Sequence, residues 1–174
     1  MENILSEIKD SNLSEKLKVV TISNLFIGQE EIRGNKGFKD EIFELYMKKT
    51  GWQKGWAWCA CFCEMVYDIA LPHIETKLEP LFSAGCTKTL ENFRNAGYDV
   101  SMKPEEGSVM IMQKDGSWQG HAGIVSHVDG DIVYTVEGNT NSSGGREGFE
   151  VARKKRKYKD TSKSMDVVGF IKIV

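Results

Sequence analysis

The strongest constraint in this chain is a change of hydrophobic period near Pro104. Upstream of it, apolar residues recur at helical spacing. Ile4, Leu5 and Ile8 begin a stripe, and Leu13, Leu17 and Val20 continue it after a break at 10–12. The segment DEIFELYMKK places Ile42, Leu45, Tyr46 and Lys49 on one helical face, with Asp40 as a cap. In CACFCEMVYDIA, Phe62, Met65, Val66 and Ile69 fall at helical spacing and Pro72 closes the segment. A short helix is expected over about 87–96, with Leu90 and Phe93 inward and Gly97 as the stop.

Downstream of Pro104 the period shortens to that of strands. GSVMIMQ (107–113), HAGIVSHV (121–128), DIVYTVEG (131–138), GFEVARKK (148–155) and DVVGFIKIV (166–174) are the expected strands. Asp129-Gly130 reads as a hairpin turn between two of them. Helices followed by a meander of strands predict an α+β fold, with N-terminal helices packed on an antiparallel sheet of about five or six strands. The expectation is one domain over 1–174, helical to about 103 and sheet from about 104.

Composition narrows the function classes. The formal net charge is -2, so no whole-protein field favours nucleic acid or an anionic membrane. No run of 18 apolar residues is present, so no membrane span is expected. The N-terminus MENILSEIKDSNLSEKLK lacks the basic start and apolar run of a secretory signal, which predicts synthesis in the cytoplasm. The basic run RKKRKYK at 153–159 reads as a solvated hairpin rather than an anion-binding patch.

The cysteines carry the chemical signal. Cys59, Cys61 and Cys63 crowd into five residues, and Cys86 follows. A C-x-C-x-C run with no second ligand pair downstream is a poor zinc site, so no metal is expected. On one helix Cys59 and Cys61 would point to different sides, and a disulfide framework is not expected. Cys59 follows the Gly/Trp-rich loop GWQKGWAW (51–58) and opens a helix. Unpaired N–H groups and the positive helix end favour a thiolate there. Cys61 and Cys63 lie deeper and suit a structural role.

A nucleophilic cysteine needs a base within hydrogen-bond reach. His73, after Pro72, and His127, beside the Asp-Gly turn, read as solvent-facing. His121 opens a strand between Gly120 and Ala122, where there is room for a substrate or a helix end. An acceptor on its second nitrogen would hold the tautomer. With the turn at Asp129-Gly130, paired residue numbers sum to about 259, which brings the start of HAGIV opposite Glu137–Gly138. Glu137 or Asn139 is then the acceptor.

These residues resemble a known family. Trp58-Cys59-Ala60 with Phe62 is similar to the Trp-Cys-Ala-x-Phe nucleophile motif of CHAP domains, the cysteine, histidine-dependent amidohydrolases/peptidases of papain-like fold. Gly120-His121-Ala122-Gly123-Ile124-Val125 resembles their Gly-His-x-Gly-Ile-Val strand, and Glu137-Gly138-Asn139-Thr140 their Glu-Gly-Asn-Thr segment. Glu30, Gly34, Asn35 and Gly37 resemble a loop of phage endolysin-like relatives, Pro104 to Val109 their Pro-x-x-Gly-Asp-Ile turn, and Gly169-Phe170-Ile171 their closing strand. The likeness spans about 25–174. Ala57 stands where relatives often carry proline and Ser108 where they often carry aspartate, while Cys61 and Cys63 have no counterpart.

The resemblance implies a peptidoglycan hydrolase that cuts a wall amide through a cysteine acyl-enzyme, as an amidase or endopeptidase of phage-endolysin type. It implies Cys59 as nucleophile, His121 as base, Glu137 as orienting acid and Asn139 as a fourth, supporting member. Gln53 is the candidate second oxyanion donor. Trp56 and Trp58 wall the groove or pack the core, and Glu30 and Asn35 reach the groove or shape the loop. No acidic cluster precedes Cys59, so no calcium or other cofactor is expected. A monomer is expected that acts at the cell wall after release or delivery. The alternatives are an antibacterial amidase toxin delivered to rival cells and a non-catalytic wall-binding module on the same fold.

Overall fold

The computed structural model describes residues 1–115, 117–142, 148–161 and 164–174. Among the described residues, six helices and six strands follow one another as α1 (Glu2–Asp10), α2 (Glu15–Leu25), α3 (Glu41–Lys49), α4 (Cys59–Ala70), α5 (Glu75–Leu78), α6 (Cys86–Asn95), β1 (Asp99–Ser101), β2 (Val109–Gln113), β3 (Gly120–Asp129), β4 (Ile132–Thr140), β5 (Glu150–Lys157) and β6 (Asp166–Lys172). The strands form one antiparallel sheet in the order β1-β6-β2-β3-β4-β5, giving the α+β architecture that the change of period predicts. The meander from β2 to β5 matches the sequence pattern. The sheet starts earlier than Pro104, because Asp99–Ser101 pairs with Phe170–Lys172 at one edge. A three-residue strand is too short to show a period.

α4 is the central helix, and all but one of its residues are buried. It packs on β3 and β4 on one side and on α2 and α3 on the other. Its Trp58 end meets an aromatic cluster in which Phe38 contacts Phe43, Trp52 and Trp58 at centroid distances of 4.8, 4.8 and 5.0 Å. The Phe43 and Trp58 contacts are edge-to-face, and aromatic pairs of this kind each add about 0.5–1.5 kcal/mol beyond their burial.

That cluster rotates α3 away from the expected face. Asp40 caps the helix by accepting the Phe43 N–H at 2.9 Å, as its position predicts. The buried side chains are Phe43 and Met47, however, while Leu45 is 62% and Ile42 41% exposed. Aromatic contact with Phe38 and Phe26 fixes the helix phase more strongly than the Ile42-Leu45-Tyr46 stripe. The stripe across the first two helices is likewise interrupted. α2 restarts at a Ser14 cap, burying Val19 and Ile22 and leaving Leu13 and Leu17 exposed. α6 buries Leu90 and Phe93 as expected, and Gly97 adopts a φ of 86° just beyond its end.

The β3–β4 hairpin decides the geometry of the site. Its two loop residues are Gly130 and Asp131, since Asp129 pairs with Ile132. Near the turn, paired numbers sum to 261. A bulge between Val125 and His127 then drops the sum to 260 at Ile124↔Val136. The expected register of 259 would have set Glu137 opposite Ala122, on the face away from His121. The bulge instead carries Glu137 alongside Gly123, where a Cβ on Gly123 would lie 2.5 Å from the Glu137 Cγ. His121 and Gly123 share a face, so the acid and the histidine meet.

Candidate active site

The N-terminus of α4 carries Cys59 as its first residue. The preceding Trp58 offers no oxygen to cap the helix, and no side-chain cap bond forms. The first-turn N–H groups therefore remain available, next to the sulfur. The loop entering the helix is fixed by buried contacts. Trp58 is fully buried and its Nε1–H donates to Glu31 Oε2 at 2.8 Å. Gly138 on β4 lets the strand approach, as a Cβ there would sit 2.6 Å from Trp58 and 2.7 Å from Phe62.

His121 opens β3 and lies close to Glu137 on β4. Its Nε2 is 2.8 Å from Glu137 Oε2, with the histidine side chain 14% and the acid 0% exposed. Glu137 has two further partners. Thr135 Oγ1 donates to Oε1 at 2.6 Å, while Arg156 donates from Nε to Oε1 at 2.9 Å and from Nη2 to Oε2 at 2.6 Å. This forked pair with β5 is the strong, directional kind.

Charge follows from these contacts. Burial alone would push the Glu137 carboxyl up, but His121 and Arg156 hold it far below the usual carboxylate range. Burial alone would lower His121, but the charges of Glu137 and Cys59 raise it from 6.5 to about 10. The Cys59 thiol is held well below 9.0, first by a hydrogen bond from Cys86. The His121 charge and hydrogen bond and the Ala122 backbone N–H add to this, against burial. These shifts all favour a thiolate–imidazolium pair backed by a carboxylate, the form in which a cysteine attacks a carbonyl.

The neighbouring thiols behave oppositely. Burial pushes Cys61 up to about 12 and Cys63 well above 9.0. Both stay as thiols inside the helix, as their positions predict. Among the described residues, no three His, Cys, Asp or Glu side chains converge to hold a metal ion.

The other expected site residues divide. Trp56 is 44% exposed beside a cavity of about 260 Å³ that Thr50, Cys61, Glu64 and Phe82 also line. Trp58 is a correction, since complete burial makes it core and removes it from substrate contact. Gln53 is exposed in the loop before α4, where its carbonyl accepts the Trp56 N–H at 3.1 Å. Asn35 has a φ of 55° and its carbonyl accepts the Gly55 N–H at 2.7 Å, which ties the 32–37 loop to the loop leading into Cys59. Glu30 pairs with Lys39 at the surface. Asn139 makes no hydrogen bond to His121. Its φ of 53° removes it from strand alternation, and its Oδ1 is buried without a partner among the described residues. His73 and His127 face solvent, paired with Glu15 and Glu106.

Three residues of the site escaped the sequence. Arg156 sits in the basic run 153–159, where strand alternation turns it inward while neighbours bind Asn24, Asn141 and Asp131. Glu31, adjacent to Glu30, is the one that points inward. Cys86 opens α6 with its sulfur 3.5 Å from that of Cys59, a tertiary contact without a local sequence signal.

No curated protein matches the chain. The family model described as CHAP domain matches residues 49–139, more than half of the chain. Because that match runs from the loop entering α4 through the histidine strand to the acidic one, the chain belongs to the CHAP domain family of cysteine, histidine-dependent amidohydrolases and peptidases.

Proposed function

We propose that this protein is a peptidoglycan hydrolase of endolysin type. It cuts an amide bond of the wall through a Cys59 acyl-enzyme and works as a single-domain monomer at the wall after release. The observation that carries the reading is His121 held by Glu137 at 2.8 Å, where its charge and hydrogen bond join the Cys86 hydrogen bond in lowering the Cys59 thiol. Family membership supports the substrate class.

The chemistry follows from the charge state. The Cys59 thiolate adds to the amide carbonyl, and the oxyanion takes the free Cys59 backbone N–H and the Gln53 side-chain amide. The imidazolium of His121 gives its proton to the departing amine as the C–N bond breaks, leaving a thioester. Neutral His121 then takes a proton from water, hydroxide adds to the thioester, and the carboxylic acid leaves with Cys59 again a thiolate. Glu137 stays ionised throughout and stabilises the imidazolium. Trp56 borders the groove from its exposed position.

Mass spectrometry of muropeptides released from purified walls tests this. The wild type is expected to release soluble fragments with one new amine and one new carboxyl per cut, and Cys59→Ala none. Release by Cys59→Ala at the wild-type rate overturns the mechanism. The fragment masses separate cleavage at the glycan–peptide amide from cleavage within the peptide.

A further inference from the structure

The sulfur of Cys86 lies 3.5 Å from that of Cys59, and both residues are 4% exposed. Nothing in the hydrolytic cycle requires a second thiol there. Its placement rests on two elements. Cys86 is the first residue of α6, after Gly85. Gly120, just before His121, gives that helix end its room, since a Cβ on Gly120 would lie 3.0 Å from the Cys86 Cβ and 3.1 Å from the Met112 carbonyl. Two helix N-termini, of α4 and α6, thus set two sulfurs in contact beside the histidine.

The two thiols differ in charge. Cys59 is held as thiolate, whereas the hydrogen bond to Cys59, with burial, keeps Cys86 protonated. A buried thiolate in contact with a thiol has the make-up of an attacking and a resolving cysteine. Closing the contact to a disulfide needs the sulfurs to approach by about 1.5 Å. No disulfide joins the pair in the structure, and all four cysteines are free.

We propose that Cys59 and Cys86 form a peroxide-reactive dithiol site, converted by hydroperoxides into a reversible disulfide. The Cys59 thiolate attacks one oxygen of the O–O bond, forming the sulfenic acid Cys59–S–OH and releasing alkoxide, or hydroxide from hydrogen peroxide. Cys86 then attacks the Cys59 sulfur. The S–S bond forms, the S–O bond breaks, and the Cys86 proton leaves with the hydroxyl as water. The two sulfurs lose two electrons together and the peroxide gains them. A dithiol restores both thiols by exchange. The disulfide removes the nucleophile, so the hydrolase is silent until reduced, and it shields Cys59 from irreversible sulfinic and sulfonic acids.

The site rests on Cys59 being a thiolate, the reading already proposed, but its test needs no substrate. Full-length protein is treated with a small excess of hydrogen peroxide, blocked with iodoacetamide and digested. The expected result is a peptide linking Cys59 to Cys86 that dithiothreitol dissolves, with lytic activity lost and regained in step. In Cys86→Ser, the same dose is expected to leave Cys59 as sulfinic or sulfonic acid, with little of that variant's own starting activity recovered by dithiothreitol. Absence of the linked peptide in the wild type, or equal recovery in folded Cys86→Ser, overturns the proposal. A linked peptide in a protein that releases no wall fragment supports the dithiol site and refutes the hydrolase reading alone.

Discussion

Two buried carboxylates in this molecule end in opposite states. Glu137 lies on the sheet within reach of His121, Thr135 and Arg156, and is held fully ionised. Glu64 lies on α4, 5% exposed, with Asp68 and Glu79 as its charged neighbours. Burial first, and those acids next, push it from 4.5 up to about 8. Both acids are desolvated, so burial does not decide the outcome. Glu137 has two cations within reach, whereas Glu64 has none among the groups that shift it. The site is therefore built by the partners β3 and β5 bring to β4, and the helix that carries Cys59 tolerates a near-neutral acid one turn further on.

Replacing Glu137 by Gln breaks the contrast at its stronger end. It removes the charge that stabilises the imidazolium and is expected to lower wall hydrolysis about 10²–10⁴-fold. His121 loses the interaction that raises it, so the alkaline limb of the rate profile, expected near pH 10 in the wild type, moves to lower pH. An unchanged limb would mean that Glu137 does not govern the histidine.

Arg156→Leu is next. It leaves Glu137 buried with one cation fewer, and a loss of about 3–5 kcal/mol of stability is expected in denaturant unfolding. Arg156→Lys keeps a charge without the fork. A smaller stability loss and about a tenfold drop in kcat are expected of it. Equal stability of the wild type and Arg156→Leu would separate this ion pair from the fold.

Gly123→Ala probes the bulge. The new methyl meets Glu137 Cγ at 2.5 Å and must displace that side chain from His121. About a tenfold loss of activity is expected in a folded protein, checked by kinetics alongside thermal melting. Full activity would show that the acid has room to shift.

Glu64→Gln tests the weaker end. A carboxyl raised from 4.5 to about 8 holds its proton more tightly in the folded state. Its contribution is most favourable below about pH 4.5 and is lost as pH rises through 8. The amide is expected to gain up to about 5 kcal/mol at pH 9 and almost nothing at pH 4, seen as a pH-dependent difference in melting temperature. A gain of equal size at both pH values would assign the effect to packing.

Much of this was legible in the chain. Period changes located the central helices and five strands, and Cys59, His121 and Glu137 stood out from local context. The register did not. The turn at Gly130-Asp131 lies one residue beyond the Asp-Gly signal, and the bulge after Val125 has no marker in alternating β residues. Two errors in the hairpin thus met at a histidine–acid contact that depends on their sum. Arg156 and Cys86 were hidden for a related reason. Each is defined by what lies across space, on β4 and α4, and each sits in a segment whose composition suggests something ordinary. The face of α3 went to Phe43 because the aromatic cluster it joins is assembled from four separate segments.

The rate of iodoacetamide alkylation of Cys59 against pH, in the wild type and in His121→Ala, tests the central claim most directly. Rapid labelling of Cys59 alone is expected to persist below pH 8 in the wild type and to slow and shift to higher pH in His121→Ala, where the Cys86 hydrogen bond and the Ala122 N–H alone still favour the thiolate. Labelling that rises only above pH 8.5 in both proteins would contradict a thiolate–imidazolium site.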